Sequence, residues 1–166
     1  MENNIMAMAT ALMAVATVVN VIVALQLGRL SISYSKNALR PIGVISVKDY
    51  DDKISVSILN AGNGPMTIKD FLCTDGTRSS LDLISLMPEL GQKWTTFYKK
   101  IIGDTIMAGD KAILIELNPE TEETRRKVRE ALKDLTVHMK YTDLYNTVFT
   151  TSKKLDFFGR PVTPGK

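Results

Sequence analysis

The chain has 166 residues, one histidine, one cysteine and a formal charge of +3 at pH 7. A lone cysteine excludes an internal disulfide framework, a lone histidine leaves little for a metal site or a catalytic triad, and so mild a basic excess argues against nucleic-acid binding. The charge is also uneven: residues 1–28 hold no Lys or Arg and one acid, so all 21 bases and 17 of the 18 acids follow Gly28, giving that part +4.

Ile5 to Leu27 runs 23 residues without Asp, Glu, Lys, Arg, His, Pro or Gly. As a helix rising about 1.5 Å per residue it would be roughly 34 Å long, enough to cross a hydrocarbon core of about 30 Å. Residues 1–28 are therefore expected to form a transmembrane anchor. Thr10, Ala14, Thr17, Val21, Ala24 and Gly28 recur at steps of four and three and share one face, with Asn20 one step from it. Small residues allow close helix approach in lipid, and Asn20 can hydrogen-bond across it, so this face is expected to pack on another transmembrane helix, from a second copy or a different chain.

Residues 29–40 read as a juxtamembrane connector. Arg29, Tyr34, Lys36 and Arg40 are its membrane-interface anchors, and basic residues on this flank alone predict an outside N-terminus and a cytoplasmic domain at the inner membrane. The opening MENN lacks the basic region of a secretory signal, so cleavage is not expected. With no Gly- or Pro-rich tether, the helix is expected to continue until Pro41 stops it.

From Pro41 the period changes to two. IGVISVKDY and KISVSILN form a hairpin around Asp51-Asp52, with Ile54, Val56 and Ile58 inward and Ser55 and Ser57 outward. Asn60 to Pro65 breaks the pattern. Met66 to Thr74 is a third strand, with Cys73 as a small buried residue, ended by Asp75-Gly76. Ser79 to Gly91 fits a short helix or a strand. KWTTFYKKI predicts a strand carrying Trp94, Phe97 and Tyr98, and KAILIEL a buried one after Gly109-Asp110.

Asn118 as cap, Pro119 at the first position and Glu120, Glu122 and Glu123 near the positive dipole end predict a helix over 119–134. Its inward stripe is Thr124, Val128, Ala131, Leu132 and Leu135, with Glu122–Arg126 and Arg126–Glu130 spaced for ion pairs. Arg125, Arg126 and Arg129 read as the solvated face, or as a surface for an acidic partner or anionic lipid. LTVHMKY then points Leu135, Val137, Met139 and Tyr141 inward and His138 outward, and YNTVFTTSKKLDFF closes the set. Residues 41–160 thus predict an antiparallel immunoglobulin-like β-sandwich with one inserted helix, in a mainly β chain, and 161–166 a loose tail.

No chemistry emerges from these residues. Asp49, Asp51 and Asp52 flank a turn but lack the Gly and distal Glu of a calcium loop, and NAGNGP enters a strand instead of the helix a phosphate loop needs. No catalytic residue, metal or cofactor is expected.

Leu39-Arg40-Pro41, Asn60 to Pro65, Tyr141-Thr-Asp143 and Leu155 to Arg160 are the stretches in which the chain resembles small single-pass prokaryotic membrane proteins of unassigned function, with an N-terminal helix before a β-sandwich. The resemblance implies a fold and an anchor, and no catalytic residue. Two readings follow. In one, the chain is a membrane-anchored, non-catalytic module whose sheet edges and 119–134 helix recruit protein partners. In the other, it is an exported subunit of a pilin-like filament with the helix in its core.

Overall fold

The computed structural model describes residues 2–161, with side chains from Met6 onward; apart from Pro161, the expected loose tail lies outside the described residues. The chain divides after Ala38 into two compact units. The first is one unbroken helix, α1, Glu2–Ala38. It is long and apolar enough to cross a membrane, with mean hydropathy 2.3 over its most apolar window and no buried residue there. The helix runs through the connector and stops three residues before Pro41, as the steric restriction ahead of a proline requires.

The second unit is built from antiparallel strands. These are β1 (Gly43–Tyr50), β2 (Lys53–Asn60), β3 (Met66–Thr74), β4 (Ser79–Ser80), β5 (Thr96–Phe97), β6 (Thr105–Ile106), β7 (Lys111–Leu117), β8 (Thr136–Thr142) and β9 (Val148–Lys154), with α2 (Glu122–Lys133) between β7 and β8. One sheet has the order β1-β2-β7-β5, the other β4-β3-β8-β9 with β6 paired to β3. Their inner faces share one core, in which Ile54, Val56, Ile58 and Ile115 from the first sheet meet Ile68, Phe71, Val137 and Met139 from the second. Cys73 is buried there, and burial pushes its thiol up to about 12, with help from the charge of Asp82. His138 is exposed.

Several expectations need correction. Ser55 and Ser57, expected outside, are both buried at 5% exposure. Strand β2 is central, and Ser55 is flanked in register by Lys48 and Glu116. The strand expected around Trp94 shrinks to Thr96–Phe97, beside β7. Helix α2 starts later than expected because Thr121 is its cap, its side chain accepting from the Thr124 N–H at 3.1 Å. Asn118 instead follows the end of β7, its N–H donating to the Thr95 hydroxyl and its carbonyl accepting from the Gln92 amide.

Register gathers three turns at the end where the chain enters this unit. Gly43 pairs with Asn60, Leu59 with Lys111, Thr67 with both Thr105 and Thr142, and Thr142 with Val148. Asn60 is the hub. Its buried amide donates to the carbonyls of Gly64 and Ile106, at 2.7 and 3.0 Å, and accepts from the N–H groups of Ile42 and Gly62. The turn after it presses on the entering chain so closely that a Cβ on Gly64 would lie 1.7 Å from the Leu39 carbonyl oxygen. A Gly64→Ala change should therefore lower the stability of the full chain in mild detergent by about 2 kcal/mol or more, read from the urea midpoint. Gly91→Ala, with nothing within 4 Å, should leave that midpoint unchanged.

Candidate functional site

The most charged internal arrangement lies at the opposite end, under α2. Asp49 continues the inward alternation of β1 and pairs in register with the fully buried Ile54. A carboxylate at that position must be neutralised. Arg125 and Arg129, one turn apart on α2, do so, with Arg125 Nη2 at 2.8 Å from Asp49 Oδ1 and Arg129 Nη1 at 2.9 Å from Oδ2. The side chains of Asp49 and Arg125 are 7% and 5% exposed, so this is a buried pair. Arg129 also donates to the Phe158 carbonyl at 3.0 Å and to that of Arg160. Burial disfavours the Arg125 charge, but the hydrogen bond and charge of Asp49, with Glu122 and Asp51, outweigh this and hold its pKa above the usual arginine value.

Arg125 and Arg129 therefore correct the expectation of a solvated face. They share the inward stripe with Val128 and Leu132. Of the three arginines, Arg126 alone is exposed. It stands between two shallow depressions flanking α2, one of about 470 Å³ lined with Glu122, Glu123, Arg125 and Arg129, the other of about 410 Å³ with Pro88, Lys127, Glu130 and Ala131. The expected Glu122–Arg126 and Arg126–Glu130 pairs do not form; Glu123 pairs with Lys127 at 2.9 Å and Glu130 with Lys133. These alternatives leave Arg126 at the centre of a mixed-sign surface.

The sheet edges, expected as contact surfaces, are blunted. On one side of the unit the edge strands are β1 and β9. Lys153 of β9 pairs with buried Val137, so it faces inward, and its ammonium donates to the Ile45 carbonyl of β1 at 2.9 Å. Thr151 donates to the Gly43 carbonyl, while the Gly43 N–H donates to the Tyr141 hydroxyl. Each of these edges thus carries an inward charge, Asp49 or Lys153. On the other side, β4, β5 and β6 have two residues each. Inward charges and very short strands are the devices that keep a sheet edge from recruiting another strand.

On α1, Thr10, Ala14, Thr17, Asn20, Val21, Ala24 and Gly28 are all exposed in this chain. The hydroxyls of Thr10 and Thr17 donate to the carbonyls of Met6 and Met13, at 2.9 and 2.8 Å, so both are satisfied within their own helix. Arg29, Tyr34 and Lys36 occupy the last turns of α1 and are exposed. Arg40 belongs to the β domain, its guanidinium 4.9 Å from the Phe149 ring centroid. Among the described residues no group of His, Cys, Asp and Glu is placed to hold a metal ion.

No protein-family model matches the chain, and no curated protein matches it.

Asp49 was visible in the sequence only as a turn residue. The signal that it faces inward is its place after Ile45 and Val47 in one alternating stripe, together with two arginines four apart in the inward stripe of a helix. Replacing Asp49 by Asn leaves two buried guanidinium groups without their counter-charge and should cost about 3–5 kcal/mol in a urea titration. Asp51→Asn, at a 95% exposed side chain 3.5 Å from Arg125, should change the same midpoint by less than about 0.5 kcal/mol.

Proposed function

We propose that this chain is a membrane-anchored, non-catalytic interaction module, in which an immunoglobulin-like sandwich recruits or assembles partner proteins at the inner face of a membrane. The observation that carries the reading is the division of charges around α2. Arg125 and Arg129 are committed to Asp49 inside, whereas Arg126 is exposed between two depressions with Lys127, Glu122, Glu123 and Glu130 around it. Such a surface suits a polar, mixed-sign protein partner whose binding weakens as salt rises.

The immunoglobulin-like assignment is supported by strand order. In that fold one sheet runs A-B-E-D and the other C-F-G, with C′ joining C in variable types. Here β1-β2-β7-β5 occupies the places of the first, and β3-β8-β9, with β4 beside β3, the places of the second. The anchor reading rests on the length and hydropathy of α1, and the orientation on Arg29, Lys36 and Arg40 following its apolar stretch.

The exported filament subunit is the second reading. Its supporting observation is the unbroken 37-residue length of α1, roughly 55 Å against a hydrocarbon core of about 30 Å. Trypsin treatment of intact spheroplasts carrying a C-terminally tagged chain separates the two. The module reading predicts that the tag survives until lysis; cleavage in intact spheroplasts would overturn the orientation and favour the exported subunit.

A further inference from the structure

Arg125 is deeply buried yet incompletely supplied with acceptors. Its side chain is 5% exposed, and its Nη2 donates to Asp49 Oδ1 at 2.8 Å. Its Nη1 has only loose ion pairs, with Asp51 at 3.5 Å and Glu122 at 3.8 Å. Both carboxylates are exposed, and both lie beyond the length of about 2.7–2.9 Å that a charge-assisted hydrogen bond takes. Its Nε is buried and has no acceptor among the described residues. A buried donor without an acceptor is uncommon in a folded protein, and it is one mark of a site that takes up an ion. Arg129 differs: its nitrogens are used by Asp49 Oδ2 and by the carbonyls of Phe158 and Arg160.

Arg125 lines a depression of about 250 Å³ together with Asp49, Asp51, Arg129, Phe157 and Arg160. The charges there do not balance. Three guanidinium groups meet two carboxylates, an excess of one positive charge. Arg160 supplies it. This residue follows a short 3₁₀ turn, Asp156–Gly159. Its N–H donates to the Phe157 carbonyl and its own carbonyl accepts from Arg129, so the backbone is held on both sides. The exposed guanidinium lies 5.2 Å from the Phe157 ring centroid and has no carboxylate partner among the described residues.

We infer that this depression binds a phosphate-type oxyanion, with Arg160 and Arg125 as donors and Phe157 as its apolar wall. The inference is independent of whether proteins meet the face around Arg126. Phosphate is favoured over a carboxylate because the donors come from two separate guanidinium groups. One guanidinium fork fills both oxygens of a carboxylate, whereas a phosphate has oxygens left for a second fork. Asp51 is the built-in competitor. Its carboxylate stands on the exposed turn of the β1–β2 hairpin against the same Nη1, and the arriving anion displaces it. Asp49 keeps Nη2 of Arg125 and Nη1 of Arg129, so the buried pairs survive binding. The bound anion ties α2 to the segment after β9.

Isothermal titration calorimetry of the full chain in mild detergent tests this, at constant ionic strength and without phosphate or sulfate in the buffer. Inorganic phosphate is expected to bind, and acetate about tenfold more weakly or less. Arg160→Gln keeps the backbone bonds of residue 160 and should weaken phosphate binding about tenfold or more. Asp51→Asn removes the competitor and should strengthen it about threefold. Lys93→Gln, at an exposed lysine outside the depression, should change nothing. Phenyl phosphate binding more tightly than phosphate assigns the site to an esterified phosphate seated on Phe157; the reverse order assigns it to the free ion, and either upholds the site. No binding of either phosphate below about 10 mM overturns the inference. So does acetate binding as tightly as phosphate, an unchanged affinity in Arg160→Gln, an equal loss in Lys93→Gln, or a weaker affinity in Asp51→Asn.

Discussion

One carboxylate holds the α2 end of the β domain together. Asp49 sits at an inward position of an edge strand, where an unneutralised charge would cost several kcal/mol. Its two arginines come from one face of α2, and Arg129 extends the network to the carbonyls of Phe158 and Arg160. Three parts distant in sequence, the β1–β2 hairpin, the inserted helix and the segment after β9, are thereby fixed to one another. Helix α2 also buries Val128 and Leu132 in the core, so packing supplies its attachment and the ion pairs its register.

This arrangement decides which surfaces remain for partners. A two-sheet domain offers strand edges as ready binding sites, yet here both long edges carry inward charges and the others are two residues long. What is left is side-chain surface, of which the mixed-sign face centred on Arg126 is one part. The blunted edges also protect the β domain from pairing with its own copies.

The parts legible in the sequence are those with a sustained period. Twenty-three uncharged residues mark α1, alternation marks β1, β2 and β8, and a continuous apolar run marks β7. Two-residue strands such as β4 and β5 have no period to detect; they exist because β3 and β7 offer free backbone groups beside them. The burial of Ser55 and Ser57 depends on the neighbours that β1 and β7 supply, which only the register reveals. The arginines of α2 misled for a similar reason. Arg125 pairs with a residue 76 positions away, so a stripe that was visible as helical looked charged and therefore wet.

In the proposed module, partners meet the face around Arg126 and not the sheet edges. Photo-crosslinking residues placed in living cells at Arg126 and Lys127, and separately at Thr150 and Ser152 on β9, distinguish the two surfaces. Discrete crosslinked products are expected from the α2 positions, weakening when Arg126 is reversed to Glu in the Lys127 probe, and none from the β9 positions. Products from β9 with none from α2 would contradict it.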